Sequence, residues 1–127
     1  MDWTWIGVEL VLALHDRQLA EHGGPAGVRD MGLLESALAR PVNLVAYGDP
    51  DASALAASYA FGIARNHAFI DGNKRTAWVL VRLFLKANGV EIGFDKADAI
   101  HAVMALAAGD LSEEELALWF RERIVAG

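Results

Sequence analysis

Between Ala77 and Leu85 the chain carries an almost unbroken apolar run, AWVLVRLFL. Around it only Arg75, Arg82 and Lys86 interrupt, and their spacings place them on one helical face. A helix that is apolar on most of its circumference needs other elements packed around it. The sequence therefore predicts a central, buried helix from about Asn73 to Ala87, with Asn88-Gly89 as its C-cap. The remaining segments then have to form its enclosure.

Those segments are helical too. From Ile6 to Glu21, Val8, Leu12 and Leu19 recur near helical spacing, with Val11 and Leu14 widening the stripe, until Gly23-Gly24-Pro25 ends it. Asp30 is placed to cap a short helix from Met31 to Ala39, which Pro41 stops. Pro41 to Gly48 (PVNLVAYG) alone has β character and reads as a short flap or hairpin. Asp49-Pro50 resembles a cap followed by a first-turn proline, ahead of an alanine-rich helix from Asp51 to Arg65. Val90 to Phe94 is extended. Asp95 caps a helix through Ala108, and Ser112 with Glu115 forms a capping box for a last helix with the stripe Leu116, Trp119, Phe120 and Ile124. The fold class is all-α: a compact six-helix bundle with a short β-like flap.

Composition agrees with one domain over residues 1–127. Apolar residues make up 54% and charged residues 22%, enough to form a core and to exclude general disorder. There is no cysteine, which removes disulfide scaffolds, Cys-based zinc sites and thiol nucleophiles. The formal net charge of -6 lowers the expectation of direct nucleic-acid binding, which draws on a basic surplus. The longest charge-free helical stretch, Ala52 to Ala64, is short of the roughly 20 residues needed to span a bilayer. Met1-Asp2-Trp3 opens with no basic flank, so a secretory signal is not expected and the expected location is cytoplasmic.

The chemistry concentrates in Arg65-Asn66-His67-Ala68-Phe69-Ile70-Asp71-Gly72-Asn73-Lys74-Arg75-Thr76, between two apolar helices. Asp71-Gly72-Asn73 opens the second of these helices, whose first N–H groups lack internal partners and sit at the positive end of the dipole. Gly72 lets an anion approach the backbone. Lys74 and Arg75 stand in the first turn, where each cation is disfavoured by roughly 0.3–1 kcal/mol. Placing two there makes sense if an anion, most obviously phosphate, sits among them. Asp71 is a candidate ligand for Mg²⁺, which favours carboxylate and phosphate oxygens. His67 is a candidate base toward a hydroxyl. These groups together fit phosphoryl or nucleotidyl transfer, and no GxxxxGK[ST] loop is present.

Each residue taken singly has a plainer reading: Asp71 as an N-cap, His67 as a hydrogen-bonded structural histidine, Lys74 and Arg75 as solvated charges, and Phe69 as a core anchor. The plain readings weaken jointly, because the groups fall within a few residues of one helix start. His15, His22 and His101 show no metal-binding spacing, and His15-Asp16 reads as the polar face of the first helix. Trp3, Trp5, Trp78 and Trp119 read as core or rim.

HAFIDGNKR, His67 to Arg75, resembles the signature of the Fic/Doc superfamily, HxFx[D/E]GN followed by Gly or Lys and Arg. His15-Asp16, Gly23-Gly24, Gly27-Val28-Arg29-Asp30 and Gly32 to Ala37 resemble the N-terminal part of its Doc (death-on-curing) branch. Lys74 stands where the AMP-transferring members carry Gly, and Trp78 where they often carry a second Arg. The resemblance implies the toxin of a type II toxin–antitoxin pair. Such a toxin transfers the γ-phosphoryl group of ATP, with Mg²⁺, to a threonine of elongation factor Tu. It is bound by the C-terminal segment of a Phd-type antitoxin. Carried over, His67 is the general base and Asp71 the Mg²⁺ ligand. Gly72 and Asn73 hold phosphate oxygens through backbone and side chain, and Lys74 and Arg75 neutralise developing charge. Arg65 is a further basic position for the nucleotide, and Pro41 to Gly48 a flap that aligns the target by strand addition. AMP transfer to a protein hydroxyl and a silent antitoxin-binding module are the competing functions.

Overall fold

The computed structural model describes residues 2–126 and contains six helices. They are α1 (Val8–His22), α2 (Met31–Tyr47), α3 (Ala52–Asn66), α4 (Asn73–Ala87), α5 (Lys96–Ala108) and α6 (Glu113–Glu122). Side-chain caps set the start of four of them. Asp30 accepts from Leu33 N–H, Asp51 from Ala54 N–H, and Asp95 from Ala97 and Asp98 N–H. Ser112 and Glu115 exchange the two bonds of the expected capping box. The cap of α3 is thus Asp51 and not Asp49, and Arg121 grips the same carboxylate through Nε (2.7 Å) and Nη2 (2.9 Å). Two short strands, β1 (Glu91–Ile92) and β2 (Ile124–Ala126), pair antiparallel. Ile124 therefore lies in a strand and not on the stripe of α6.

The centre of the bundle is α3, not α4. It packs against α2, α4, α5 and α6, and it is buried along almost its whole length. Its Ala and Gly side chains are too small to stand out as a hydrophobic run, yet they let neighbours approach closely. A Cβ on Gly62 would lie 2.8 Å from the Cβ of Ala37 in α2. α4 buries Ala77, Leu80, Val81, Phe84 and Leu85, while Lys74, Arg75, Arg82 and Lys86 remain exposed. Trp3 and Trp5 stack on Phe84 at centroid distances of 6.1 and 6.0 Å, and Ile6 N–H donates to the buried Tyr59 hydroxyl at 3.1 Å.

The expected flap is helix. α2 continues through Pro41, which is buried, to Tyr47. A proline inside a helix forfeits a backbone bond and costs about 3 kcal/mol. Here Leu34, Ala37 and Pro41 are buried at helical spacing and Val45 extends their stripe, so burial on one face offsets that loss. Arg40, the residue the proline restricts, is held over the Phe61 ring at 4.6 Å and paired with Glu113. Among the described residues no helix is long and apolar enough to cross a membrane.

Candidate active site

The chain leaves α3 in an uncommon way. His67 adopts φ 51°, ψ 48°, a left-handed conformation that glycine usually fills at a helix C-terminus. For a non-glycine residue this costs on the order of 1–3 kcal/mol and persists only where neighbours impose it. Arg29 is that neighbour: its Nε donates to the His67 carbonyl (2.7 Å) and its Nη2 to the Asn66 carbonyl (3.1 Å). A cation on the last carbonyls of α3 is also favoured by the helix dipole. The backbone of the same segment adds a short ladder. Ala68 O accepts from the N–H groups of Arg29 (2.8 Å) and Asp30 (3.1 Å), Gly27 O accepts from Ile70 N–H, and Val28 bridges Phe69 antiparallel.

Residues 27–30 thus pair strand-like with the motif loop itself, whereas Pro41 to Gly48, expected as a flap that aligns a target by strand addition, is helical through Tyr47. The 41–48 segment makes no hydrogen bond to residues 67–75 among the described residues, and with Arg40 and Ser58 it lines a separate depression. Gly24, at φ +117°, passes so close to Asp71 that any Cβ there would strike the carboxylate.

The far end of the loop is closed by Asn73. Its Oδ1 accepts from Phe69 N–H (3.1 Å) and its Nδ2 donates to Phe69 O (3.0 Å). The side chain is buried and its Oδ1 and one Nδ2 N–H are engaged by Phe69, which leaves the second Nδ2 N–H and the backbone N–H as its remaining donors. Phe69 is 1% exposed and anchors the loop, as expected. Gly72, at φ 78° and ψ 15°, precedes α4 and supplies no side-chain cap. Among the described residues the N–H groups of Asn73, Lys74 and Arg75 have no protein acceptor.

His67, Ile70, Asp71, Gly72, Asn73, Lys74 and Arg75 line one depression of about 340 Å³. Lys74 and Arg75 are exposed and pair with no carboxylate among the described residues. The Asp71 carboxylate likewise has no hydrogen-bond or ion-pair partner there. The bases for anion binding are thus backbone donors, a helix dipole and two cations, with an imidazole and a free carboxylate on the same rim. Two larger depressions, about 600 and 700 Å³, bring together no comparable set of groups.

Arg65 is not part of this rim. Its guanidinium packs over the Phe61 ring at 5.1 Å and beside Gly109. The expectation that it contacts nucleotide is corrected accordingly: on α3 it faces the α5 end of the bundle. Trp78, one turn into α4, packs on Phe94, Trp119 and Phe120, so the place of a second motif arginine is taken by an aromatic cluster.

Two further side chains shape the site without a signal in the sequence. His15, read as surface, is 2% exposed. Its ring stacks on Phe69 at 3.7 Å and its Nε2 lies 2.7 Å from the Asp71 carbonyl. Arg29 stands in the sequence only as part of the N-terminal family pattern. Neither role leaves a local signal, since each depends on a partner about forty or more residues away.

The pattern of the Fic/DOC family matches residues 5–85. The chain is 36% identical over 113 residues to a protein named "Protein kinase doc" of Escherichia phage P1, covering 88% of this chain and 89% of that one. It is 49% identical over 76 residues to one named "Toxin Doc" of Mycolicibacterium smegmatis (strain ATCC 700084 / mc(2)155), covering 58% of each. The matched span contains the depression and the elements that hold it, His15, Arg29 and the start of α4. The chain belongs to the Fic/DOC family, in its Doc branch.

Proposed function

We propose that this chain is the toxin of a type II toxin–antitoxin pair and acts as a protein kinase. It would move the γ-phosphoryl group of ATP to a serine or threonine hydroxyl of a translation factor, elongation factor Tu. The observation that carries the reading is the uncapped start of α4. Three N–H groups and two cations that have no partner among the described residues open into the same depression as His67 and Asp71. A triphosphate is the ligand class that such a cradle suits.

In this reading an imidazole nitrogen of His67 takes the proton from the acceptor hydroxyl. That oxygen forms the bond to the γ-phosphorus, the bond to the β–γ bridging oxygen breaks, and ADP leaves. The backbone N–H groups of residues 72–75 bind phosphate oxygens. Lys74 and Arg75 offset the charge that spreads over the transferring group. The free Asp71 carboxylate fits a Mg²⁺ ion that keeps most of its ligands as water and phosphate oxygen, since no cluster of three or more acidic or histidine ligands exists among the described residues. When bound, the ion would supply charge neutralisation between phosphates. Lys74 and Trp78 favour phosphoryl over AMP transfer: the first places a cation where AMP-transferring relatives have glycine, and the second removes one.

A Phd-type antitoxin, through its C-terminal segment, is the proposed partner. The test is label transfer. With Mg²⁺ and elongation factor Tu, the protein should incorporate label from γ-labelled ATP, and His67→Ala should abolish it. Incorporation from α-labelled ATP alone overturns the proposal in favour of AMP transfer. No incorporation from either label, with retained binding of an antitoxin, leaves a silent module.

A further inference from the structure

The reaction as drawn does not use His15, a buried polar ring on α1 that touches the motif loop. We infer that His15 is a positioning residue that locks the Asp71–Gly72 peptide in one of its two available orientations. The role rests on the reading of the depression as a phosphate site, and the test below separates the two.

The geometry is specific. The His15 ring is fixed on its face by Phe69, at 3.7 Å and 10° between planes, and at its edge by the Asp71 carbonyl, 2.7 Å from Nε2. A carbonyl only accepts, so Nε2 carries the proton. Phe69 cannot slide away, because Asn73 holds both its N–H and its carbonyl. His15 is thus a rigid donor aimed at one peptide oxygen.

That peptide is the one most able to turn over. Gly72 sits at φ 78°, ψ 15°, the dihedrals of the second central residue of a type II turn. Rotating the peptide before it by about half a turn gives the type I form, with φ negative at the same residue. Glycine accepts both signs of φ without steric penalty, so residue 72 itself makes no choice. In a trans peptide the C=O and N–H point to opposite sides. With the Asp71 carbonyl drawn toward His15, the Gly72 N–H points away from that ring, and in this proposal it joins the N–H groups of residues 73–75, which have no acceptor among the described residues, as a donor to the anion. In the flipped form an oxygen would face the anion and the Gly72 N–H would meet the His15 N–H. His15 penalises the second form twice: it loses its own acceptor while buried, and it opposes two donors.

The test uses the ¹⁵N-labelled full chain, its His15→Gln and His15→Phe variants, and the Mg²⁺ complex of a non-hydrolysable ATP analogue with an imido β–γ bridge. Phenylalanine keeps the stack on Phe69 without the donor. Glutamine can present an amide N–H near the Nε2 position. The first readout needs no nucleotide: the Gly72 N–H vector from residual dipolar couplings, and the sign of its φ from scalar couplings. Wild type and H15Q should show a single orientation with positive φ. H15F should show a reoriented or averaged vector, and its affinity for the analogue should fall about tenfold, the loss of one donor at the cradle, with H15Q recovering most of it. Should H15F fail to fold, His15→Leu removes the donor equally and takes its place. An unchanged Gly72 vector in the donorless variant, or equal losses in H15Q and H15F, overturns the inference. A wild-type protein that binds no analogue sinks the nucleotide reading alone, because the ligand-free vector still decides the role of His15.

Discussion

Lys74 and Lys86 stand at opposite ends of α4, one in the first turn and one in the last. Both are exposed and neither pairs with a carboxylate among the described residues. The helix dipole makes a cation unfavourable at the first position and favourable at the second, by about 0.3–1 kcal/mol each at low salt. Lys74→Gln and Lys86→Gln make the same change in net charge, from -6 to -7, so long-range repulsion is matched. Lys and Gln also have nearly equal helix propensity. The two variants should therefore differ by about 0.6–2 kcal/mol in stability, K74Q above wild type and K86Q below it. With a urea slope near 2 kcal/mol per molar, that is a separation of roughly 0.3–1 M between unfolding midpoints. It should shrink as salt rises, since the screening length falls from about 30 Å at 0.01 M to about 3 Å at 1 M.

The order should then invert on adding ligand. A non-hydrolysable ATP analogue with Mg²⁺ at about a hundredfold its Kd stabilises the protein by roughly 2.7 kcal/mol. K86Q should keep that gain and K74Q lose most of it. Coincident midpoints at low salt, or K86Q as the more stable of the two, would refute the claim that Lys74 is held against the dipole. A parallel shift of both variants with ligand would refute the claim that it is held there for an anion.

Other consequences follow from single contacts. Tyr59→Phe removes the acceptor of the buried Ile6 N–H and should cost about 1–3 kcal/mol in urea unfolding, with faster amide exchange at Ile6. Gly62→Ala gains up to about 1 kcal/mol of helix propensity. It also drives a Cβ to 2.9 Å from the Ala37 Cα, and overpacking of that kind costs about 1–3 kcal/mol, so the midpoint should fall; a rise would show that α2 and α3 separate freely. The Arg121 guanidinium holds the Asp51 carboxyl below its ordinary value. A depressed value stabilises the fold above the unfolded carboxyl range, near pH 4, and that contribution is lost as pH falls through the folded value. Arg121→Gln should thus be less stable than wild type at neutral pH and converge with it in acid, as read by thermal unfolding across pH.

Helix starts were legible because capping is local: Asp30, Asp95 and Ser112 each act within three residues of themselves. The extent of α2 was not, because Pro41 is a breaker by its own chemistry and is overruled by the stripe it shares with Leu34 and Ala37. Which helix is central is not legible for a related reason. Hydrophobic volume marks α4, whereas centrality is decided by how closely neighbours can approach, and alanine and glycine give that to α3. At the site, the grouping of His67 to Arg75 around one depression is legible because these residues lie within nine of one another in the chain. Arg65 enters only through the family resemblance, and one turn of α3 directs it to Phe61 instead.

What nearness could not reveal is why the loop keeps its shape. His67 holds a left-handed backbone that a free chain would leave, Gly72 can turn either way, α4 begins without a cap, and its first turn carries two repelled cations. Each of these features taken alone is destabilising or indifferent. They coexist because three side chains close the escapes: Arg29 on the carbonyls of residues 66 and 67, Asn73 of the motif itself on both backbone groups of Phe69, and His15 on the carbonyl of Asp71. Two of the three come from α1 and the segment leading to α2, which are remote in the chain from the motif. The motif therefore specifies which groups are offered to a ligand, and the N-terminal third of the protein specifies where they point. Loss of donor geometry at His15 or Arg29 should then damage the cradle while the six helices remain, whereas loss of the same groups in a helix-packing role would unfold them.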